Sequence, residues 1–147
     1  MTVFAASDHA GFRLRQALVE HLRARGVEVV DLGPVAPERC DYPDFAAQVA
    51  RRVAAGEGLG LLICGTGVGM SMAANKIAGI RAAVVSDVFS AQGTRAHNDC
   101  NVLCMGERVV GVGLASSIVD AWLDAEFEGG RHAGRVAKIH ALEGASD

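Results

Sequence analysis

Short apolar runs alternate with amphipathic stretches along almost the whole chain. Apolar runs at 2–7, 27–32, 59–64, 80–86 and 101–105 predict five strands. Between and after these runs, apolar residues recur at three- and four-residue spacing, which is typical of helices that bury one face. The predicted helices cover 12–25, 44–55, a short stretch that ends at 77, 87–97, 112–127 and 131–142.

Strands that are apolar almost throughout, alternating with helices, predict a parallel sheet covered on both faces. The 147 residues contain no linker and no internal repeat, so we expect a single domain over residues 1–147. Right-handed crossovers then give a Rossmann-like α/β/α sandwich with a C-terminal helix. We expect the common strand order 2-1-3-4-5, and we expect the tail beyond Gly144 to fray.

Composition narrows the possible partners and compartments. A formal net charge of -3 and a pI near 5.9 indicate neither a nucleic-acid nor a membrane partner. No apolar run approaches the roughly 20 residues that span a bilayer, and we expect no signal peptide. The four cysteines, Cys40, Cys64, Cys100 and Cys104, show no CxxC or zinc-site spacing. We therefore expect reduced thiols in a cytoplasmic protein.

A glycine-rich turn follows the third predicted strand, which ends at Cys64. Glycines at 65, 67 and 69 let backbone N–H groups turn toward a ligand, and the helix that follows adds a positive dipole. The stretch is no P-loop, because no Gly-Lys-Ser/Thr follows. It is no dinucleotide fingerprint either, because Met70 stands where a glycine is needed. Two interpretations stay open, a tight packing turn and an anion-binding loop beside a thiol.

In the expected strand order, ligands bind where the first and third strands diverge. The loop after the first strand carries Asp8-His9, so we expect this pair to meet the glycine turn. A buried cysteine is usually only a small apolar residue. Glycine N–H groups and a helix start beside Cys64 would instead favour its reactive thiolate.

Two further groups have both a structural and a functional interpretation. His97-Asn98-Asp99 precedes the last strand, where it can form a helix end or supply a general acid and a substrate clamp. Arg131 and Arg135 share one helix face, as solvated charges or as a phosphate grip. Residues expected to be structural are His21 and His140 on helix exteriors, Cys104 in the core and Cys100 in a partly buried loop, and Lys76 is expected to be a surface charge.

Seven stretches combine into a family pattern: DHAGF at 8–12, DYP at 41–43, CGTGVGMSMAANK at 64–76, GIRA at 79–82, HNDCN at 97–101, RVVG at 108–111, and GGRH at 129–132 with Arg135. Together they resemble the ribose-5-phosphate isomerase B family, which also contains the galactose-6-phosphate isomerase subunits. The resemblance implies a Rossmann-like fold and no metal or organic cofactor. It also implies a homodimer, or a tetramer built from two dimers, with sites at the subunit interface and a small sugar phosphate as the ligand.

The same resemblance implies that D-ribose 5-phosphate and D-ribulose 5-phosphate are interconverted through a cis-enediolate. Cys64 would be the base, because the sequence at 69–71 lacks the glutamate that some members use. His97 would open the furanose ring. The implied catalytic set is Cys64, Thr66, His97 and Asp8. The implied substrate-binding set is His9, Tyr42, Gly65, Gly67, Val68, Gly69, Asn98, Arg108, Arg131 and Arg135.

Within that binding set, the resemblance assigns the loop amides from Gly65 to Gly69 to the enediolate. It assigns His9, Arg131 and Arg135 to the phosphate, and Asn98 and Arg108 to contacts across the dimer interface. Two alternatives remain at the level of sequence. The substrate can be another aldose phosphate, a hexose, tetrose or deoxy sugar, since pocket depth is not readable from sequence. Less favoured is a non-catalytic nucleotide- or flavin-binding module, for which the Gly65–Gly69 loop is the only argument.

Overall fold

Five parallel strands form the middle layer of the computed structural model, which describes residues 1–144. The strands are β1 (Thr2–Ser7), β2 (Glu28–Asp31), β3 (Leu59–Cys64), β4 (Ala82–Val84) and β5 (Val102–Gly106). The helices are α1 (Phe12–Ala24), α2 (Tyr42–Ala54), α3 (Val68–Ala74), α4 (Val88–Asn98), α5 (Val112–Asp124) and α6 (Arg131–Ala141). The expected α/β/α sandwich is confirmed. The expected fraying beyond Gly144 concerns residues outside those described.

The strand order is β2-β1-β3-β5-β4, so the expected order 2-1-3-4-5 is wrong at its last two positions. β5 pairs with β3 on one side and with β4 on the other. Burial explains the exchange, because every residue of β5 is buried whereas β4 is a three-residue strand that ends at an exposed Val84. The longer apolar strand takes the sheet interior and the short one becomes the edge.

This order decides which face of the sheet carries α4. The chain runs outward from β3 to β4 and then back to β5, and right-handed connections in opposite directions lie on opposite faces. α4 therefore packs against α5, and both share a face with α1. The core on this face includes Leu18, Ile118 and Trp122. On the other face, α2 and α3 cover Leu62 with Val49 and Met70.

Several predicted boundaries move by a few residues, for local reasons. α2 begins at Tyr42 rather than at 44, because Pro43 fits the first turn of a helix, where its missing N–H costs nothing. Cys100 is 1% exposed, so the expected partly buried loop residue is in fact part of the core. The Trp122 indole donates a hydrogen bond to the Cys100 carbonyl at 3.1 Å and holds α5 against this loop.

Charged side chains join the helices to one another outside the core. His21 of α1 and Arg25, which follows the end of α1, both contact Asp120 of α5, at 2.7 and 2.6 Å. His140 of α6 lies 2.7 Å from Arg81, which precedes β4. These contacts agree with a structural role for His21 and His140. No helix among residues 1–144 has the length and hydropathy that crossing a membrane requires.

Candidate active site in two clusters

The loops that follow β1, β3 and β5 lie side by side at the carboxyl edge of the sheet. The Asp8 N–H donates to the Ile63 carbonyl at 3.2 Å, and the Glu107 N–H donates to the Cys64 carbonyl at 2.9 Å. The expected meeting of the Asp8-His9 loop with the glycine turn is therefore confirmed. We call the residues gathered here the carboxyl-edge cluster: Asp8, His9, Tyr42, Cys64, the 65–69 loop and Arg108.

The glycine turn wraps around the Cys64 side chain. The Gly67 N–H donates a hydrogen bond to the Cys64 sulfur at 3.0 Å, and the side chain is buried. Gly67 has a φ of 83°, and a Cβ there would lie 2.9 Å from the Met105 backbone, so no larger residue fits. A donor aimed at sulfur stabilises a thiolate. Burial raises the pKa of the Cys100 and Cys104 thiols.

Two side chains form the walls around the turn. The Tyr42 ring rests directly on Gly69, where an added Cβ would lie 2.6 Å from the ring. The Arg108 side chain lies over Gly65, 3.5 Å from the position that a Cβ would take, and the Arg108 N–H donates to the Gly65 carbonyl. The Thr66 hydroxyl accepts a hydrogen bond from the Val68 N–H at 3.3 Å. A Cβ at Gly69 would displace the Tyr42 ring, whereas a Cβ at Gly65 would only reach ordinary contact with Arg108.

Asp8 and His9 are fixed by backbone hydrogen bonds. One oxygen of the buried Asp8 carboxylate accepts from the Ala10 and Gly11 N–H groups at 2.9 and 3.1 Å. His9 Nδ1 accepts from the Cys40 N–H at 3.3 Å, which leaves Nε2 as the ring nitrogen that can donate. A donor at Nε2 suits an anionic ligand.

Two residues that sequence reasoning missed support this edge from below. Arg15 is buried, and its guanidinium donates to the Ser7 hydroxyl at 2.8 Å and to the Pro34 carbonyl at 2.6 Å. The Glu107 carboxylate accepts from the Leu14 N–H at 3.0 Å. Burial lowers the Arg15 pKa from its ordinary value, although Asp31 opposes the shift. Charged residues in a helix or a turn look like surface residues in a sequence, so only the fold reveals these contacts.

His97 and Asn98 lie at the opposite edge of the sheet. They end α4, and the Asn98 carbonyl accepts from Arg81 Nε at 3.2 Å, just before β4 begins. Cys64, by contrast, ends β3. A six-residue strand is about 16 Å long at ~3.3 Å per residue. Within one chain, the histidine and the thiol therefore belong to separate groups.

Around His97 the structure assembles a second group, which also includes two residues outside the predicted set. The His97 ring stacks on the His132 ring, with centroids 4.5 Å apart and planes 13° apart. Glu128 Oε2 lies 3.5 Å from His132 Nε2 and 3.9 Å from His97 Nε2. Burial, helped by His97 and Arg131, lowers the His132 pKa. We call His97, Asn98, Glu128, Arg131, His132 and Arg135 the amino-edge cluster.

The start of α6 is unusually basic. Arg131 and His132 occupy its first turn, no acidic residue does, and Arg135 follows one turn later. Basic residues at a helix N-terminus oppose the helix dipole, so their presence there favours binding of an anion. His132 stood next to Arg131 in the GGRH stretch, so the sequence did contain a signal for it.

The fold and the two clusters define a class of protein. It is a doubly wound α/β protein in which a loop suited to binding an anion encloses a thiol. The chain belongs to the ribose/galactose isomerase family, whose model matches residues 3–139. The ribose-5-phosphate isomerase B of Escherichia coli strain K12 is 61% identical over 137 residues, 92% of each chain.

Solved structures give the same result. The ribose-5-phosphate isomerase B of Clostridium thermocellum has a TM-score of 0.96 and 52% identity, covering 97% of both chains. That of Mycoplasma genitalium, solved with bound ribulose-5-phosphate, has a TM-score of 0.95 and 46% identity, covering 99% of this chain and 97% of that one. The family resemblance seen in the sequence is therefore confirmed.

Proposed function

We propose that this protein interconverts D-ribose 5-phosphate and D-ribulose 5-phosphate through a cis-enediolate. The observation that carries the proposal is the Cys64 sulfur, held by the Gly67 N–H inside the glycine turn. The relatives support it, since the Escherichia coli protein is named for this reaction and the Mycoplasma genitalium structure holds its ketose. No metal or organic cofactor is part of the proposal.

Isomerisation of an aldose phosphate begins with opening of the furanose ring. His97 would protonate the ring oxygen while Asp8 assists in removing the proton from the anomeric hydroxyl. The carbon–oxygen bond of the ring then breaks and an aldehyde forms at C1. A general acid–base pair of this kind contributes about 10²–10⁴-fold.

Proton transfer between the two carbons follows at Cys64. The thiolate would take the proton from C2 and return it to C1, while Thr66 moves a proton between the oxygens on C1 and C2. Negative charge on the enediolate oxygens would be stabilised by N–H groups from Gly65 to Gly69 and by the first turn of α3. Removing one such donor typically costs about 10²–10³ in kcat.

The phosphate would bind at the other end of the substrate. The proposed partners are His9 through Nε2, Arg108, and Arg131 with Arg135 at the start of α6. Asn98 would contact the sugar and Tyr42 would line the pocket. Guanidinium groups suit this task because they offer paired charge-assisted hydrogen bonds to phosphate oxygens.

One copy of the chain cannot bring Cys64 and His97 to the same substrate, so we propose a homodimer with active sites at the subunit interface. A side-by-side antiparallel pairing brings the carboxyl-edge cluster of each copy to the amino-edge cluster of the other. Exposed apolar residues at the carboxyl edge support such an interface: Val84, Val88, Phe89, Val109 and Val112. Phe89 alone is 88% exposed. Assembly of two dimers into a tetramer remains part of the proposal.

Replacing the thiol tests the proposed chemistry. We expect Cys64→Ala to lose about 10²–10⁴-fold in kcat for ribose 5-phosphate, with an unchanged thermal unfolding midpoint. Cys40→Ala is the matched control, because Cys40 contacts His9 through its backbone N–H, which alanine keeps. A folded Cys64→Ala enzyme with near-normal turnover would show that another group is the base.

A panel of aldose phosphates tests the substrate. The highest kcat/KM is expected for ribose 5-phosphate, and a higher value for a hexose, tetrose or deoxy sugar phosphate would reassign it. Stabilisation by nucleotides but not by sugar phosphates would favour a binding module. We also propose that the protein is cytoplasmic, which the four free cysteines support. We propose that residues 1–147 act as one domain.

A further inference from the structure

The amino-edge cluster contains three metal-ligating side chains whose geometry the isomerase reaction does not explain. One ligand atom each from His97, Glu128 and His132 lie within 4.8 Å of one another. Glu128 is 3.5 and 3.9 Å from the two imidazole nitrogens, too far for hydrogen bonds of ordinary geometry. The three groups are therefore close together without satisfying one another.

Two imidazoles and one carboxylate are a ligand set that Zn²⁺ prefers. Bonds of about 2.0–2.2 Å place neighbouring ligand atoms of a tetrahedral Zn²⁺ site roughly 3.3–3.5 Å apart. His97 and Glu128 are both about half-exposed, so their side chains can close the remaining gap. The stacked rings must also tilt so that both nitrogen lone pairs converge, which the soft terminal torsion of histidine permits.

The backbone holds the ligands in register. The Glu128 N–H donates to the Ala96 carbonyl at 3.0 Å, which ties the segment before α6 to the last turn of α4. His132 follows Glu128 by four residues and is buried, so it offers a nearly fixed ligand position. The hydrogen bond between these two elements thus keeps the three groups near one another.

We propose that this protein binds Zn²⁺ at His97, Glu128 and His132, and that the bound ion inhibits the isomerase. A water molecule would complete the four ligands. Inhibition rests on the proposed function, because Zn²⁺ occupies the imidazole lone pair that His97 needs for ring opening. Binding does not rest on it. The ion is an inhibitor, distinct from a cofactor of the reaction.

Positive charge around the site should weaken Zn²⁺ binding, and this effect can be tested. Arg131 adjoins His132 and Arg135 lies one turn further along α6, and both guanidinium groups repel a cation. Removing the Arg135 charge should therefore tighten Zn²⁺ binding, whereas the same change should weaken phosphate binding. No purely structural effect of Arg135 moves the two affinities in opposite directions.

Calorimetric titration of the full chain with Zn²⁺ alone measures the binding. We expect one ion per chain. The affinity for Zn²⁺ should fall at least about 10- to 100-fold in Glu128→Gln and in His132→Gln, because even changes to residues that only support metal ligands cause losses of this size. Glu126→Gln, in the same segment and exposed, is the matched control. Thermal unfolding without metal verifies that each variant is folded.

Cobalt spectroscopy distinguishes this site from the thiols. Co²⁺ bound here should give visible bands of a nitrogen–oxygen site without the near-ultraviolet band of a cobalt–thiolate bond. A thiolate band, or Zn²⁺ binding that is equal in wild type and both ligand variants, would overturn the site. Zn²⁺ should also slow isomerisation by the wild-type enzyme. It should slow isomerisation by the Glu128→Gln variant less, when each rate is compared with the rate of the same enzyme without metal. Binding at the site without inhibition would overturn the inhibitory role, while the Cys64→Ala test judges the isomerase itself.

Discussion

Cys64 and His97 lie at opposite edges of the same sheet. Cys64 is the last residue of β3, whereas His97 is in the last turn of α4, beside the residues that precede β4. Every helix that crosses from one parallel strand to the next must run antiparallel to the strands, so its end returns to the amino edge. The proposed base and the proposed ring-opening acid can therefore act on one substrate only if two chains supply them.

Mixed dimers test this arrangement directly. Cys64→Ala and His97→Asn are each expected to be inactive alone. After co-refolding at equal amounts, half of the dimers are mixed and each holds one intact site, so activity should return to about a quarter of wild type. Two inactive variants that stay inactive when mixed, although dimers exchange, would mean that each chain holds a complete site.

The start of α6 is expected to bind the substrate phosphate. Arg135→Leu should lower kcat/KM for ribose 5-phosphate roughly 10- to 150-fold, since hydrogen bonds to charged groups contribute about 1.5–3 kcal/mol. Activity toward unphosphorylated ribose should not change. Lys138→Leu, exposed on the same helix, is the control. An equal loss with both sugars would place Arg135 away from the phosphate.

Gly69 and Tyr42 should be coupled in catalysis. Gly69→Ala sets a methyl group 2.6 Å from the Tyr42 ring, so the half-exposed ring must swing away from the glycine turn. Because alanine favours a helix by about 1 kcal/mol over glycine, stability should hold while kcat/KM falls. Adding Gly69→Ala to Tyr42→Ala should then cost nothing further. Losses that multiply in the double variant would mean that the methyl group acts on something other than Tyr42.

The contact between α1 and α5 should make stability depend on pH. Burial alone would raise the Asp120 pKa, but hydrogen bonds and charges from His21 and Arg25 outweigh it and hold the pKa below 3.8. A lowered pKa stabilises the fold at neutral pH, and this contribution is lost as the pH falls through and below 3.8.

Asp120→Asn should therefore lower the free energy of unfolding at pH 7 by no more than about 1 kcal/mol for so exposed a pair. The difference from wild type should vanish in acid. Glu20→Gln, exposed on α1, serves as the control. A difference that persists unchanged at low pH would assign the effect to packing instead of charge.

The sequence alone predicted most of the helices and strands and the carboxyl-edge cluster of the candidate site. The run that forms β3 is apolar throughout and ends in a glycine-rich turn, so its bounds at Leu59 and Cys64 followed from the sequence. Asp8-His9 and the glycine turn were expected to meet, because consecutive neighbours in a parallel sheet end at one edge. The first inference rests on residues that are neighbours in the chain, and the second on the general topology of parallel α/β sheets.

Tertiary packing decided the rest. β5 entered the sheet between β3 and β4 because it is the longer and more deeply buried of the two last strands, and this moved α4 to the face of α1 and α5. Burial of Arg15 and the stacking of His97 on His132 depend on residues distant in the chain. Sequence alone assigned the thiol and the histidine to one reaction. Only the fold showed that about a strand's length separates them within one chain, because that distance is a property of the assembled sheet and not of residues that are neighbours in the sequence.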